Sequence, residues 1–170
     1  MNDPLPRKIE QLEKLMVEMT AAHQRMLDLL QEKRAAFRDA NAEVMTQAIT
    51  NEHDQFQRIA EMEKRRLGLV AELTMLVNPN ASEPMKLGEL ADRLDEPARG
   101  RLRVLRQQLR DRIQETRDQT RLARTSAESM VEHMKGLMHT LGGMIAGVAT
   151  YNQQGTIPGE KLTGSTFAAC

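Results

Sequence analysis

Aromatic side chains are nearly missing from this chain: three phenylalanines, one tyrosine and no tryptophan in 170 residues. Compact globular cores usually use more of them, because each buries a large apolar area. The single cysteine, Cys170, has no internal partner, so no disulfide framework is available and a reducing compartment is the simplest expectation. No uninterrupted apolar run approaches the 18 or so residues that a membrane span needs, and no N-terminal apolar run resembles a signal peptide. Charge of either sign is not in excess, since 24 Lys and Arg balance 24 Asp and Glu. Overall electrostatics therefore give no support to a role on nucleic acid or on an acidic membrane surface. These absences leave a cytoplasmic protein without nucleic-acid binding or direct membrane insertion as the expectation.

What the chain has in quantity is Ala, Leu, Met, Glu, Gln, Lys and Arg, the residues of long helices. The spacing predicts an all-α fold: an elongated antiparallel bundle or coiled coil of three long helices and one short one. The expected helices cover about 7–38, 41–77, 86–95 and 97–148, giving a helical bundle over 1–151 and a flexible tail over 152–170. The first seam runs Ile9, Leu12, Met16, Met19, His23, Met26, Leu30, Lys33 and Phe37, alternating three- and four-residue steps. Leu15, Leu27 and Leu29 broaden it beyond a two-stranded seam. Asn41 is a plausible N-cap for the second helix, with Glu43 in its first turn.

The expected second stripe is Met45, Ile49, Glu52, Phe56, Ile59, Glu63, Arg66, Val70, Leu73 and Val77, wet in its middle. Two prolines and two asparagines between Asn78 and Pro84 end that helix. Leu87, Leu90 and Leu94 fit a short helix plugging the end of the bundle. The last helix carries Leu102, Leu105, Leu109, Ile113, Thr116, Thr120, Ala123 and Ala127, with a stutter around Leu109. After Tyr151 the sequence turns rich in Gly, Thr, Gln and Pro, the composition of an unstructured tail.

One stretch stands apart. Met130, Met134, Leu137, Leu141, Met144 and Val148 continue the three-four spacing, and Met138 and Ile145 widen it. Gly136, Gly142, Gly143 and Gly147 loosen the helix that carries it, each costing roughly 1 kcal/mol against alanine. Methionines repack at little cost, which suits a surface that accepts varied apolar helices. At 1.5 Å per residue the first two helices reach about 50 Å and the last about 75 Å. An up-down-up bundle would leave Met134 to Val148 without internal cover, and a patch of that size marks an interface.

Other chemistry finds little footing. His23, His53, His133 and His139 each lack a glutamate three residues earlier, so the Glu-x-x-His pairs of a di-iron bundle are missing. Neither a metal nor a cofactor is expected. The arginine run from Arg99 to Arg124 is interleaved with Asp111, Glu115 and Asp118 and lacks stacking aromatics. It reads as a solvated face pairing with acidic residues of the first two helices. Gly155 to Lys161 has the wrong spacing for a phosphate loop, and no nucleophile sits in a recognisable setting. The chain is not expected to be an enzyme.

Three stretches together resemble a known family. They are the Glu/Lys-rich run LDLLQEKRAAFRDANAEVMTQAITNEHDQFQRIAEMEKRR from Leu27 to Arg66, the segment KLGELADRLDEPARG from Lys86, and the close Ala149-Thr-Tyr151-Asn-Gln-Gln-Gly155-Thr. The last looks like the Tyr-x-x-x-Gly ending of the FlgN family of flagellar export chaperones for hook–filament junction proteins. The helical part is shared by many coiled coils; the tyrosine motif is the sharper piece. The resemblance implies that the C-terminal region holds the terminal helix of a hook-associated protein, and that Tyr151 helps dock the loaded chaperone on the membrane export gate. Residues alone give Met130, Met134, Leu137, Met138, Leu141, Met144, Ile145 and Val148 as the partner-binding set. A structural homodimer or scaffold that pairs the same apolar stripe with itself is the competing expectation. A bundle using its arginine face on nucleic acid is the third.

Overall fold

The computed structural model describes residues 4–148, with the side chains of 144–148 outside the description. Its elements are α1 (Pro4–Arg38), α2 (Ala42–Val77), α3 (Leu87–Asp92) and α4 (Ala98–Val148), with no strand among the described residues. The expected tail, 152–170, lies outside the described residues. The chain divides into two units, Met1–Arg124 and Thr125–Cys170, and α4 contributes to both.

In the first unit, the three-four seam of α1 is the heart of the core. Leu12 and Met16 are wholly buried, and Ile9, Leu15, Met19, His23, Met26, Leu27, Leu29 and Leu30 are buried with them. Thirty-five residues of helix with so broad an apolar face need neighbours on more than one side. α2 supplies Met62, Val70 and Leu73, α3 supplies Leu90 and Ala91, and α4 supplies Leu102 and Leu109. The short helix packs into the core: Leu90, Ala91 and the following Leu94 all sit in the same cluster. Deleting a buried leucine from such a cluster typically costs about 2–5 kcal/mol.

The α1–α2 connection is tight. Asn41 caps α2, its Oδ1 accepting from the Val44 backbone N–H at 3.1 Å. Ala40 takes a left-handed backbone, φ 50°, to make the reversal in so few residues. At the other end of α2, buried Thr74 donates from Oγ1 to the Val70 carbonyl and accepts from the Met85 backbone N–H, pinning the Pro-rich loop.

α2 departs from its expected stripe. Ile49 and Phe56 are exposed, while Ala48, Gln55 and Met62 are the buried positions that precede Val70 and Leu73, which are buried as expected. Gln55 replaces Phe56 in the interface because its Nε2 donates to the Ala22 carbonyl of α1 at 2.6 Å. The wet residues of the expected stripe are satisfied by ion pairs. Glu52 meets Lys33 of α1, and Glu63 is clasped by Arg66 at 2.6 Å.

The arginine run on α4 makes fewer cross-helix pairs than expected. Arg101 reaches Glu13 of α1 at 2.9 Å and Arg103 reaches Asp92 of α3 at 2.6 Å. Arg112 and Arg121 pair instead within α4, with Glu115 and Asp118.

Candidate partner-binding site

Burial along α4 fades in a regular way. Leu102, Leu109 and Thr116 are buried, Leu105, Ile113 and Ala123 are half-buried, and from Glu128 to Gly143 every side chain is exposed. The change follows the sequence: large apolar residues give way to Thr116, Thr120, Ala123 and Ala127, which bury little.

In the second unit the large apolar residues return on a helix that leaves them open. Met130, Met134, Leu137, Met138 and Leu141 are exposed, from 43% for Met130 to 71% for Met138. Steps of three and four residues place them on one side of α4, as a continuous ridge. Val131, half exposed, was not part of the expected set and belongs to the ridge edge, seven residues before Met138. Its signal was present in the spacing but lay one position off the seam. Met144, Ile145 and Val148 fall within α4, but their side chains lie outside the described residues, as does Tyr151.

A Cβ built on Gly136, Gly142 or Gly143 meets nothing within 4 Å. No packing contact requires glycine there, so what these residues do is lower helix stability along the ridge. Polar decoration of this part of α4 is local: Lys135 pairs with Glu132 at 2.8 Å, and Thr140 donates to the Gly136 carbonyl. His133 and His139 are exposed, and no group of three potential metal ligands occurs among the described residues. No helix among them is long and apolar enough to cross a membrane.

The first unit has an apolar surface that periodicity alone did not reveal. A groove of about 1290 Å³ runs between α2 and α4, floored by Met19, His23 and Met26 of α1. Ile49 and Phe56 stand on one wall, which accounts for their departure from the core. His23 is buried here and its Nδ1 has no hydrogen-bond partner. Burial disfavours the imidazolium and holds its pKa below the ordinary 6.5, with Glu63 opposing that effect and Arg117 reinforcing it. Arg66 is shifted the other way, because its hydrogen bonds to Glu63 favour the charged guanidinium.

Comparison with known proteins gives one family: a model described as FlgN protein matches residues 1–159. No curated protein and no solved structure matches the chain.

Proposed function

This chain belongs to the FlgN family, the flagellar export chaperones that bind hook-associated proteins, and we propose that it holds its cargo along the exposed ridge of α4. The cargo element is an amphipathic terminal helix of a hook–filament junction protein, and the contact residues are Met130, Met134, Leu137, Met138, Leu141, Met144, Ile145 and Val148. The observation that carries this reading is the open apolar ridge itself, with five of those side chains exposed on one helix face. Each stabilises a complex by roughly 1.5–3 kcal/mol when fully buried, before the cost of ordering two chains is subtracted. Helix against helix is the mode such a ridge supports, and the glycines lower the barrier to local adjustment.

Delivery follows from the same reading. Tyr151, three residues after Val148 in the sequence, docks the loaded chaperone on the membrane export gate in the cytoplasm. No nucleotide or metal enters this cycle: the chaperone shields an apolar cargo face and then hands it on.

The test is a pull-down of the junction protein's terminal segment by full-length chaperone carrying Leu137→Ser and Leu141→Ser. Loss of capture with unchanged far-UV circular dichroism is the expected result. Capture that survives both substitutions overturns the ridge as the cargo site. A stable dimer in light scattering, lost on the same substitutions while cargo still binds, would make the ridge a self-association surface.

A further inference from the structure

α2 carries apolar side chains that the interior does not use. Ile49 and Phe56 stand seven residues apart, hence on one face, and Phe56 is 62% exposed. A phenylalanine can bury 150–250 Å², roughly, so leaving one open in a protein with only three is a substantial loss of stabilisation. Both side chains line the groove between α2 and α4, together with Ile59 on the α2 side and Leu109 and Ile113 on the α4 side. Its volume, about 1290 Å³, exceeds the roughly 300–1,000 Å³ of small-molecule pockets. A groove walled by two helices and floored by a third has the form that a fourth helix fills.

The charge of the groove is one-sided. Arg106, Arg110 and Arg117 line it from α4, spaced by four and seven residues along about 16 Å of helix. Among the described residues none of the three forms an ion pair or side-chain hydrogen bond, whereas Arg101, Arg103, Arg112 and Arg121 all do. The groove's carboxylates Glu52 and Glu63 are already engaged by Lys33 and Arg66. Three uncompensated cations therefore flank an apolar trough on one side.

We infer that this groove is a docking site, separate from the α4 ridge, for an amphipathic helix of a partner protein that carries carboxylates along one flank. Its apolar face covers Ile49 and Phe56 and the half-buried Ile59 and Ile113 beside them. Its acidic flank, with side chains spaced by four and seven residues, meets Arg106, Arg110 and Arg117. Nucleic acid fits the arginines but not the trough: a polyanion would leave the phenylalanine and isoleucines against phosphate, and the chain has no net positive charge to hold it.

The probe is a fluorescent synthetic helix of about five turns, leucines on one face and glutamates along one flank, titrated into the full-length protein. The glutamate peptide binds, and the triple variant R106E, R110E and R117E weakens it about tenfold or more, since like charges then face each other. A matched peptide with lysines in place of the glutamates reverses the preference and binds the variant better. Methyl resonances of Met19 and Met26 shift when the glutamate peptide binds. Because the three arginines are exposed, the variant folds; a milder Arg→Gln triple gives an intermediate loss. The proposal is overturned by equal binding of the two peptides, or by loss of binding only in the Leu137→Ser, Leu141→Ser variant. It is equally overturned if short duplex DNA displaces the peptide at the same site, or if the free protein is a dimer whose second copy already covers the groove.

Discussion

Gln55 of α2 donates from Nε2 to the Ala22 carbonyl of α1 at 2.6 Å, a buried bond between a side chain on one helix and the backbone of another. That carbonyl belongs to the interior of α1, so the amide adds a second donor to an acceptor that helices normally use once. The bond ties the middle of the α1–α2 interface, where apolar residues are sparse: Ala48 and Met62 are its buried neighbours on α2.

Gln55→Ala removes the bond and leaves a cavity, and should cost about 2 kcal/mol, the sum of a net hydrogen bond and lost packing. Gln55→Leu keeps the volume and removes the buried polar group, so it should cost less than half as much. Urea midpoints of the two variants decide this; equal losses would mean that the hydrogen bond, absent from both, outweighs packing at the position.

Much of the fold was legible because α1 and the first part of α4 repeat large apolar residues at three-four steps, and the structure buries Leu12, Met16, Leu102 and Leu109 where that spacing puts them. Prolines and asparagines between Asn78 and Pro84 marked the loop for the same direct reason. α2 was legible as a helix, and Val70 and Leu73 are buried where the stripe puts them, but the facing of its earlier part was not legible. The buried positions there, Ala48, Gln55 and Met62, are one small, one polar and one flexible residue, which no hydropathy pattern singles out. Ile49 and Phe56 look like the better core in the sequence. Their place on the groove wall depends on the separate placement of α2 and α4 around α1, which periodicity within one helix does not encode.

Acid should loosen the first unit through His23. Its folded-state pKa lies below the ordinary 6.5, chiefly because burial penalises the imidazolium. The unfolded chain then binds more protons than the folded one as pH falls, so the stabilisation is complete above 6.5 and is lost as pH drops through the lowered value. Urea midpoints at about pH 7.5 and about pH 5.5 should show the decline in the native protein. His23→Met, which keeps an apolar side chain on the groove floor, should decline less steeply. An identical slope in the variant would assign the effect to other groups.

Position along α4 should separate stability from binding. Leu102 is wholly buried in the core cluster, so Leu102→Ala should cost about 2–5 kcal/mol. Leu137 is more than half exposed, and Leu137→Ala should change stability by less than about 0.5 kcal/mol. On the proposed function the ranking inverts for cargo: Leu137→Ala weakens capture about tenfold, while Leu102→Ala acts only through the fraction folded. Thermal melts and cargo titrations on both variants test the pair together.

Gly136→Ala should raise helix content and add up to about 1 kcal/mol to local stability, since a Cβ there meets nothing. Hydrogen exchange of amides between Glu132 and Thr140 is the direct measurement. Slower exchange accompanied by unchanged cargo affinity would show that the ridge binds as a preformed helix. Slower exchange with weaker binding would show that cargo needs the looseness the glycine provides.

Thr74 joins two elements through a single hydroxyl. It is 1% exposed, its Oγ1 donates to the Val70 carbonyl at 2.7 Å, and it accepts from the Met85 backbone N–H at 3.0 Å. Met85 lies just ahead of α3, whose Leu90 and Ala91 are in the core cluster, so this acceptor ties the approach to α3 to the end of α2. Thr74→Val preserves shape but leaves a partly buried N–H unpaired, a penalty of about 1–3 kcal/mol. Thr74→Ser keeps the bond and loses a buried methyl, about 1 kcal/mol. The hydroxyl, not the methyl, should therefore dominate. A Ser variant less stable than the Val variant would reverse that assignment and make Thr74 a packing residue whose hydrogen bond to the loop is incidental.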